Sequence, residues 1–155
     1  MTSCTLVAGF DCICNGKNCF ITHANLVADE RKLSFLCGHD SNVGSVLAAL
    51  GADDYALPGA IEKTPIGCKL VFCRWRAPDG SSFVSVDMVY ETTEQLRNAP
   101  LLDLERHPAV VPMRFSCLTA NKDGLYSEAD FMAHLRDRIE EYDRIVDAYA
   151  LADAA

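Results

Sequence analysis

Residues 68–91 hold two strand-length runs of alternating character, "CKLVFCRWR" and "SFVSVDMVYE", joined by "APDGS". In the second run Val84, Val86, Met88 and Tyr90 fall on one face, while Ser85 and Asp87 fall on the other. That period of two is the signature of a strand with one buried face. Pro78, Asp79 and Gly80 suit a tight reversal. The stretch therefore predicts a β-hairpin.

The flanking segments read as helices, loops and shorter strands. Before the hairpin, Leu33–Cys37 reads as a short buried strand and Asn42–Leu50 as a helix. Val43, Val46, Leu47 and Leu50 recur at helical spacing, and Gly51 is a natural C-terminal stop. "DDYALPGAIEKTPIG" is loop, punctuated by Pro58, Gly59, Pro65 and Gly67. After the hairpin, "TTEQLRNA" predicts a short helix with Thr92 and Gln95 at capping-box spacing. "AVVPMRFSC" is a further strand, and Pro112 favours an edge position for it. Ser127 caps a long final helix whose apolar stripe is Phe131, Leu135, Ile139, Tyr142, Val146 and Tyr149.

The 155 residues suit one domain, and 50 % hydrophobic with 23 % charged residues is ordinary globular composition. A net charge of -8 argues against a nucleic-acid binder, which carries a basic face. No apolar run approaches the roughly 18–20 residues that span a membrane. Met1–Phe10 lacks the basic start and long apolar stretch of a secretory signal, which gives a cytoplasmic default.

Eight cysteines stand at positions 4, 12, 14, 19, 37, 68, 73 and 117. Cys12, Cys14, Cys19 and His23 offer thiolate and imidazole, the ligand types zinc prefers. The usual two-residue gap is missing, and a Cys-x-Cys pair wraps one ion poorly, so no metal or cofactor is assigned. Residues 1–24 fit no clean period and read as a leader. Cys37, Cys68 and Cys73 lie in or beside apolar runs and read as small buried hydrophobes.

The chemistry concentrates in "FLCGHDSNVGSVLAALG". An apolar strand ends at Gly38, His39 and Asp40 follow, and a helix starts at once. In α/β sheets ligands bind beyond the carboxyl ends of strands. The helix directs free N–H groups and a positive dipole toward the same place. Ser41 and Asn42 are placed to cap the helix or to add hydrogen bonds. The pattern suits an anionic ligand; the plainer alternative makes Asp40 a helix cap and His39 a surface residue.

This block resembles the Gly-His-Asp motif of the histidine acid phosphatases. The likeness continues through "LPGAIEKTPIGCKLVFCRWR", "VSVDMVYETTEQLRNAPLL" and "VVPMRFSC", from about Lys32 to Phe131. It is nearest to the glucose-1-phosphatase and phytase branch. The resemblance implies part of a phosphoglycerate-mutase-like α/β sandwich: the carboxyl half, with a β-hairpin and a long C-terminal helix, over residues 25–155. It implies phosphomonoester hydrolysis through a phosphohistidine, on a small phosphorylated substrate such as a sugar or inositol phosphate. Asp40 would protonate the leaving oxygen and His39 would help hold the phosphate; Ser41 and Asn42, by their place at the helix start, are the further substrate-binding candidates. A periplasmic or secreted location is implied as well.

The departures bear on activity. The family's nucleophile sits in Arg-His-Gly-x-Arg-x-Pro, and no Arg-His-Gly occurs in these residues. His107 in "ERHPAV" lacks the glycine and the second arginine, and reads as a loop residue. His134 falls on the last helix. Relatives carry a cysteine pair spaced like Cys117 and position 126, which is Tyr126 here. Cys68 stands where relatives have a second glycine after Gly67. The alternative reading is an inactive chain that binds an anion or a partner at most. A partial sheet would also leave an open edge through which copies associate.

Overall fold

The structure is a computed structural model that describes residues 39–153, and side chains to residue 149. The Leu33–Cys37 strand, Gly38 and the cysteines and histidine of the leader lie outside the described residues.

Helix α1 spans Asp40–Leu50. The hairpin follows as β1, Lys69–Arg76, and β2, Ser82–Tyr90. Next come α2 at Thr93–Asn98, β3 at Ala109–Pro112, β4 at Tyr126–Ser127 and α3 at Glu128–Asp153. The result is a mixed α/β arrangement with one antiparallel sheet and a long C-terminal helix.

The hairpin forms as its alternation predicts. The register runs unbroken through eight pairs, from Lys69 with Val89 to Arg76 with Ser82. At the reversal Gly80 N–H donates to the Ala77 carbonyl at 3.0 Å, and Gly80 adopts φ +89. The turn is closed by a left-handed residue, which glycine reaches without steric cost. Asp79 Oδ1 accepts from both the Ser81 amide (2.9 Å) and the Ser81 hydroxyl (2.6 Å). Those bonds hold the Asp79 carboxyl below its ordinary range.

Strand β2 is central. β1 lies along one side of it, and β3 and β4 share the other. Val84, Val86, Met88 and Tyr90 are all buried on one face. Against that face pack Leu47 and Leu50 of α1, and Phe131 of α3. Phe115, Tyr126 and Phe131 meet edge-on or tilted, with centroids 5.6–6.4 Å apart, the geometry aromatic quadrupoles favour. Pro112 ends the edge strand β3, where its missing N–H costs no ladder bond. Met113 and Phe115 continue the buried alternation beyond the strand itself.

Side-chain bonds fix the elements to one another. Arg74 of β1 grips Glu128 at the start of α3, with Nε to Oε1 at 2.8 Å and Nη2 to Oε2 at 2.9 Å. On the far face of the sheet Trp75 Nε1 donates to Ser85 Oγ (3.0 Å), which donates on to Asp87 Oδ2 (3.3 Å). Burial pushes the Asp87 carboxyl up, opposed by the Ser85 bond and the Arg114 charge. His134 of α3 donates from Nε2 to the Leu50 carbonyl at 2.7 Å, tying the last turn of α1 to α3. The thiol of Cys117 lies 3.7 Å from the same nitrogen.

Three sequence expectations change. Helix α1 starts two residues earlier than Asn42, so Asp40 is its first residue and His39 its N-cap. The stripe of α3 is buried only at its start. Phe131 is buried and Leu135 is packed against the core, but Ile139, Tyr142, Val146 and Tyr149 are exposed. The helix has 26 residues, roughly 39 Å at 1.5 Å per residue, and outruns the sheet that covers it. Cys68 and Cys73 are half-buried rather than sealed in the core. Among the described residues no helix is long and apolar enough to cross a membrane.

Candidate functional site

His39 is the N-cap of α1, with extended backbone (φ -99, ψ 170). A cap residue is half outside the helix, so its side chain projects from the end where N–H groups are unpaired. The Asn42 side chain reaches back: its Oδ1 accepts from the His39 amide at 2.7 Å. The His39 carbonyl accepts in turn from Asn42 N (3.0 Å) and Val43 N (3.3 Å). Asn42 therefore has its oxygen committed to starting the helix, the capping role rather than a ligand role.

Asp40 is the first helical residue, where a carboxylate meets the positive end of the helix dipole. Its Oδ1 accepts from the Ser41 amide at 2.7 Å. No bond to Oδ2 is recorded among the described residues. His39, Asp40 and Ser41 are all exposed, and Asn42 is half-buried. The structure thus groups all four expected site residues at one helix start, with the His-Asp pair facing outward.

The other end of α1 is anchored firmly enough to hold that start in place. Gly51 adopts φ 69, and its N–H reaches the Ala48 carbonyl while Ala52 N–H reaches Leu47 (2.9 Å). This 6→1 closure is the Schellman pattern. Asp53 then bonds the Ser116 amide (3.0 Å) and hydroxyl (2.8 Å), fastening the loop to the segment after β3.

The long loop after the helix carries a polar cluster of its own, beside Cys68. Burial pushes the Cys68 thiol up; the Lys69 charge opposes the shift and the Asp40 carboxylate adds to it. Cys68 and Asp40 therefore share one neighbourhood. Burial also raises Tyr55, against the Lys63 charge. Lys63 pairs with Asp54 and lies 5.4 Å from the centre of the Tyr55 ring, and Tyr55 Oη donates to the Lys63 carbonyl at 3.0 Å. Nothing in "DDYALPGAIEKTPIG" marks these residues except that a long loop directly follows the helix.

His107 and His134 lie elsewhere. His107 is exposed, with Nδ1 2.8 Å from the Pro108 carbonyl oxygen. His134 is engaged with Leu50 on the opposite end of α1. Position 126 holds a buried tyrosine whose Oη accepts from the Phe115 amide at 3.0 Å. Here an aromatic ring and one hydrogen bond join segments that a cysteine pair is expected to join in relatives.

No family model matches the chain. Individual relatives do. The chain is 38 % identical over 114 residues to a glucose-1-phosphatase of Providencia rettgeri, covering 73 % of this chain and 27 % of that one. It is 44 % identical over 86 residues to the glucose-1-phosphatase of Salmonella typhimurium, covering 52 % and 20 %. Among solved structures, the Hafnia alvei phytase superposes with a TM-score of 0.64 at 32 % identity, over 67 % of this chain and 26 % of that one. The Citrobacter braakii phytase gives 0.63 at 30 % identity, with the same coverage. The chain thus spans about a quarter of the length of these relatives. Over the segment they share, it belongs to the histidine acid phosphatase family, in the glucose-1-phosphatase and phytase branch.

Proposed function

We propose that this chain carries the proton-donor half of a phosphomonoesterase site, with Asp40 as general acid and His39 as phosphate-binding partner. The observation that carries the reading is the outward-facing His39–Asp40 pair at the N-terminus of α1, within a segment shared with glucose-1-phosphatases and phytases. An alkoxide leaves phosphorus poorly, so a carboxylic acid beside the leaving oxygen lowers the barrier by donating its proton. Asp40 Oδ1 is held by the Ser41 amide, which leaves Oδ2 to carry that proton. The helix N-terminus and the His39 imidazole supply donors for the phosphoryl oxygens. Ser41 remains exposed for contact with substrate; Asn42 serves by fixing the cap.

The substrate class follows from the relatives. Two are named glucose-1-phosphatases, and a Hafnia alvei phytase at 33 % identity was solved with myo-inositol hexakis sulphate. A sugar phosphate or an inositol phosphate is the matching substrate, in the periplasm or outside the cell. Hydrolysis needs a nucleophile from outside these residues, because they hold no Arg-His-Gly. That same observation favours the second reading, a chain that binds an anion or a partner without turnover.

A chimera separates the two. Residues 32–131 replace the matching segment of the Providencia rettgeri glucose-1-phosphatase, and hydrolysis of glucose 1-phosphate is measured. Turnover that Asp40→Asn removes supports the proton-donor role. A folded chimera with no turnover supports the binding reading.

A further inference from the structure

One residue holds the main chain of His39 from both sides. Asn42 Oδ1 accepts from the His39 amide at 2.7 Å, and the Asn42 amide donates to the His39 carbonyl at 3.0 Å. The first bond restrains φ of His39 and the second restrains ψ, which stand at -99 and 170. Those two angles set where the Cα–Cβ bond of His39 points and how the chain enters Asp40. The aim of the His-Asp pair is therefore written through residue 42, although Asn42 needs no contact with a substrate to do it.

The chemistry of this clamp is particular. The third helical position is the usual place for a reciprocal cap. An acidic side chain there accepts the same N–H and also meets the positive end of the helix dipole. By capping alone a carboxylate would serve at least as well as the carboxamide found here. The carboxamide leaves Asp40 as the one acid in the first turn of α1. A second carboxylate in that turn would offset the positive end of the helix and repel a phosphate ester. An amide supplies the hydrogen bond without the charge.

We infer that Asn42 is a positioning residue for the His39–Asp40 pair: it aims His39 through the main chain and, being neutral, keeps the helix start receptive to a phosphoryl group. The inference rests on the phosphomonoesterase reading of this site and names the part Asn42 has in it.

Nuclear magnetic resonance of the full chain tests this, with inorganic phosphate as the probe at low and high salt. In the unaltered chain the His39 and Asp40 amide signals shift saturably with phosphate. Asn42→Ala removes the clamp and adds no charge. Exchange of the His39 amide with water then speeds by at least about tenfold. Phosphate affinity falls about threefold at both salt levels, because an unheld His39 must be ordered on binding. Asn42→Asp keeps the acceptor and adds a charge. The His39 amide stays protected, while affinity falls about fivefold at low salt and recovers at high salt as the charges are screened. Unchanged amide signals of Val84, Val86 and Met88 in the core confirm that each variant keeps the fold. If either variant binds phosphate as the unaltered chain does at low salt, Asn42 is a helix cap and nothing more; that overturns the inference and leaves the proposed function standing. If the unaltered His39 and Asp40 signals ignore phosphate, the proposed function itself is struck and the inference falls with it.

Discussion

Tyr126→Phe removes one oxygen from the centre of the molecule and nothing else. Tyr126 is 2 % exposed, and its Oη accepts from the Phe115 amide at 3.0 Å. Phe115 is itself 1 % exposed, so that N–H has no water to turn to. The ring contacts with Phe115 and Phe131 survive the change, so hydrophobic burial stays nearly constant. What remains is an orphaned buried donor, which costs about 1–3 kcal/mol. In urea the midpoint should fall by that amount divided by the slope m, with m itself unchanged. Tyr90→Phe is the natural control. Its hydroxyl donates to the Pro58 carbonyl at 2.9 Å, and a carbonyl left with one partner fewer is a milder loss, about 0.5–1.5 kcal/mol. If Tyr126→Phe costs no more than Tyr90→Phe, the bond to Phe115 is not what joins β4 to the segment after β3.

Three further outcomes follow from the same geometry. Gly51→Ala should cost roughly 1–2 kcal/mol, because φ is +69 while the nearest atom to an added Cβ, Cys117 Sγ, is a comfortable 3.9 Å away; chemical denaturation reads it, and a neutral result would deny the left-handed cap. Asp87→Asn should stabilise the chain near neutral pH and change little in acid. Burial raises the folded carboxyl above its unfolded value, so its favourable contribution is full below the unfolded pKa and is lost as pH rises through the raised one; thermal melts from acid to neutral pH should show the variant's advantage growing with pH. The isolated chain should hydrolyse p-nitrophenyl phosphate at background rate from acid to neutral pH, since its sequence holds no Arg-His-Gly; turnover that disappears with Asp40→Asn would demand a nucleophile not yet recognised.

The hairpin was legible to within one residue at each end because alternation and turn chemistry are local. Val84, Val86, Met88 and Tyr90 declare a buried face, and Gly80 sits where the reversal needs a left-handed residue. The start of α1 was less legible. Asp and Asn both suit caps, and only the bond from the His39 amide to Asn42 Oδ1 shows that the helix begins at Asp40. The surroundings of Asp40 were not legible at all. The Cys68 thiol feels the Asp40 charge, and the loop between them folds back under bonds such as Tyr90 Oη to the Pro58 carbonyl and Thr93 N to the Gly59 carbonyl (2.8 Å). Those are long-range events with no periodic trace. The α3 stripe was read correctly as apolar, but periodicity cannot tell where the sheet covering it stops.

The role of Asp40 is tested most directly by how its loss depends on the leaving group, measured in the chimera that supplies the upstream residues. Asparagine keeps the shape and can still take the Ser41 amide bond, so the fold should be untouched. A sugar alkoxide needs a proton to depart, whereas p-nitrophenolate does not. Asp40→Asn should therefore slow glucose 1-phosphate by roughly 10²–10⁴-fold, as general acid catalysis allows, and slow the aryl ester far less. Equal losses on the two substrates, or none on either, would contradict the assignment of Asp40 as the proton donor.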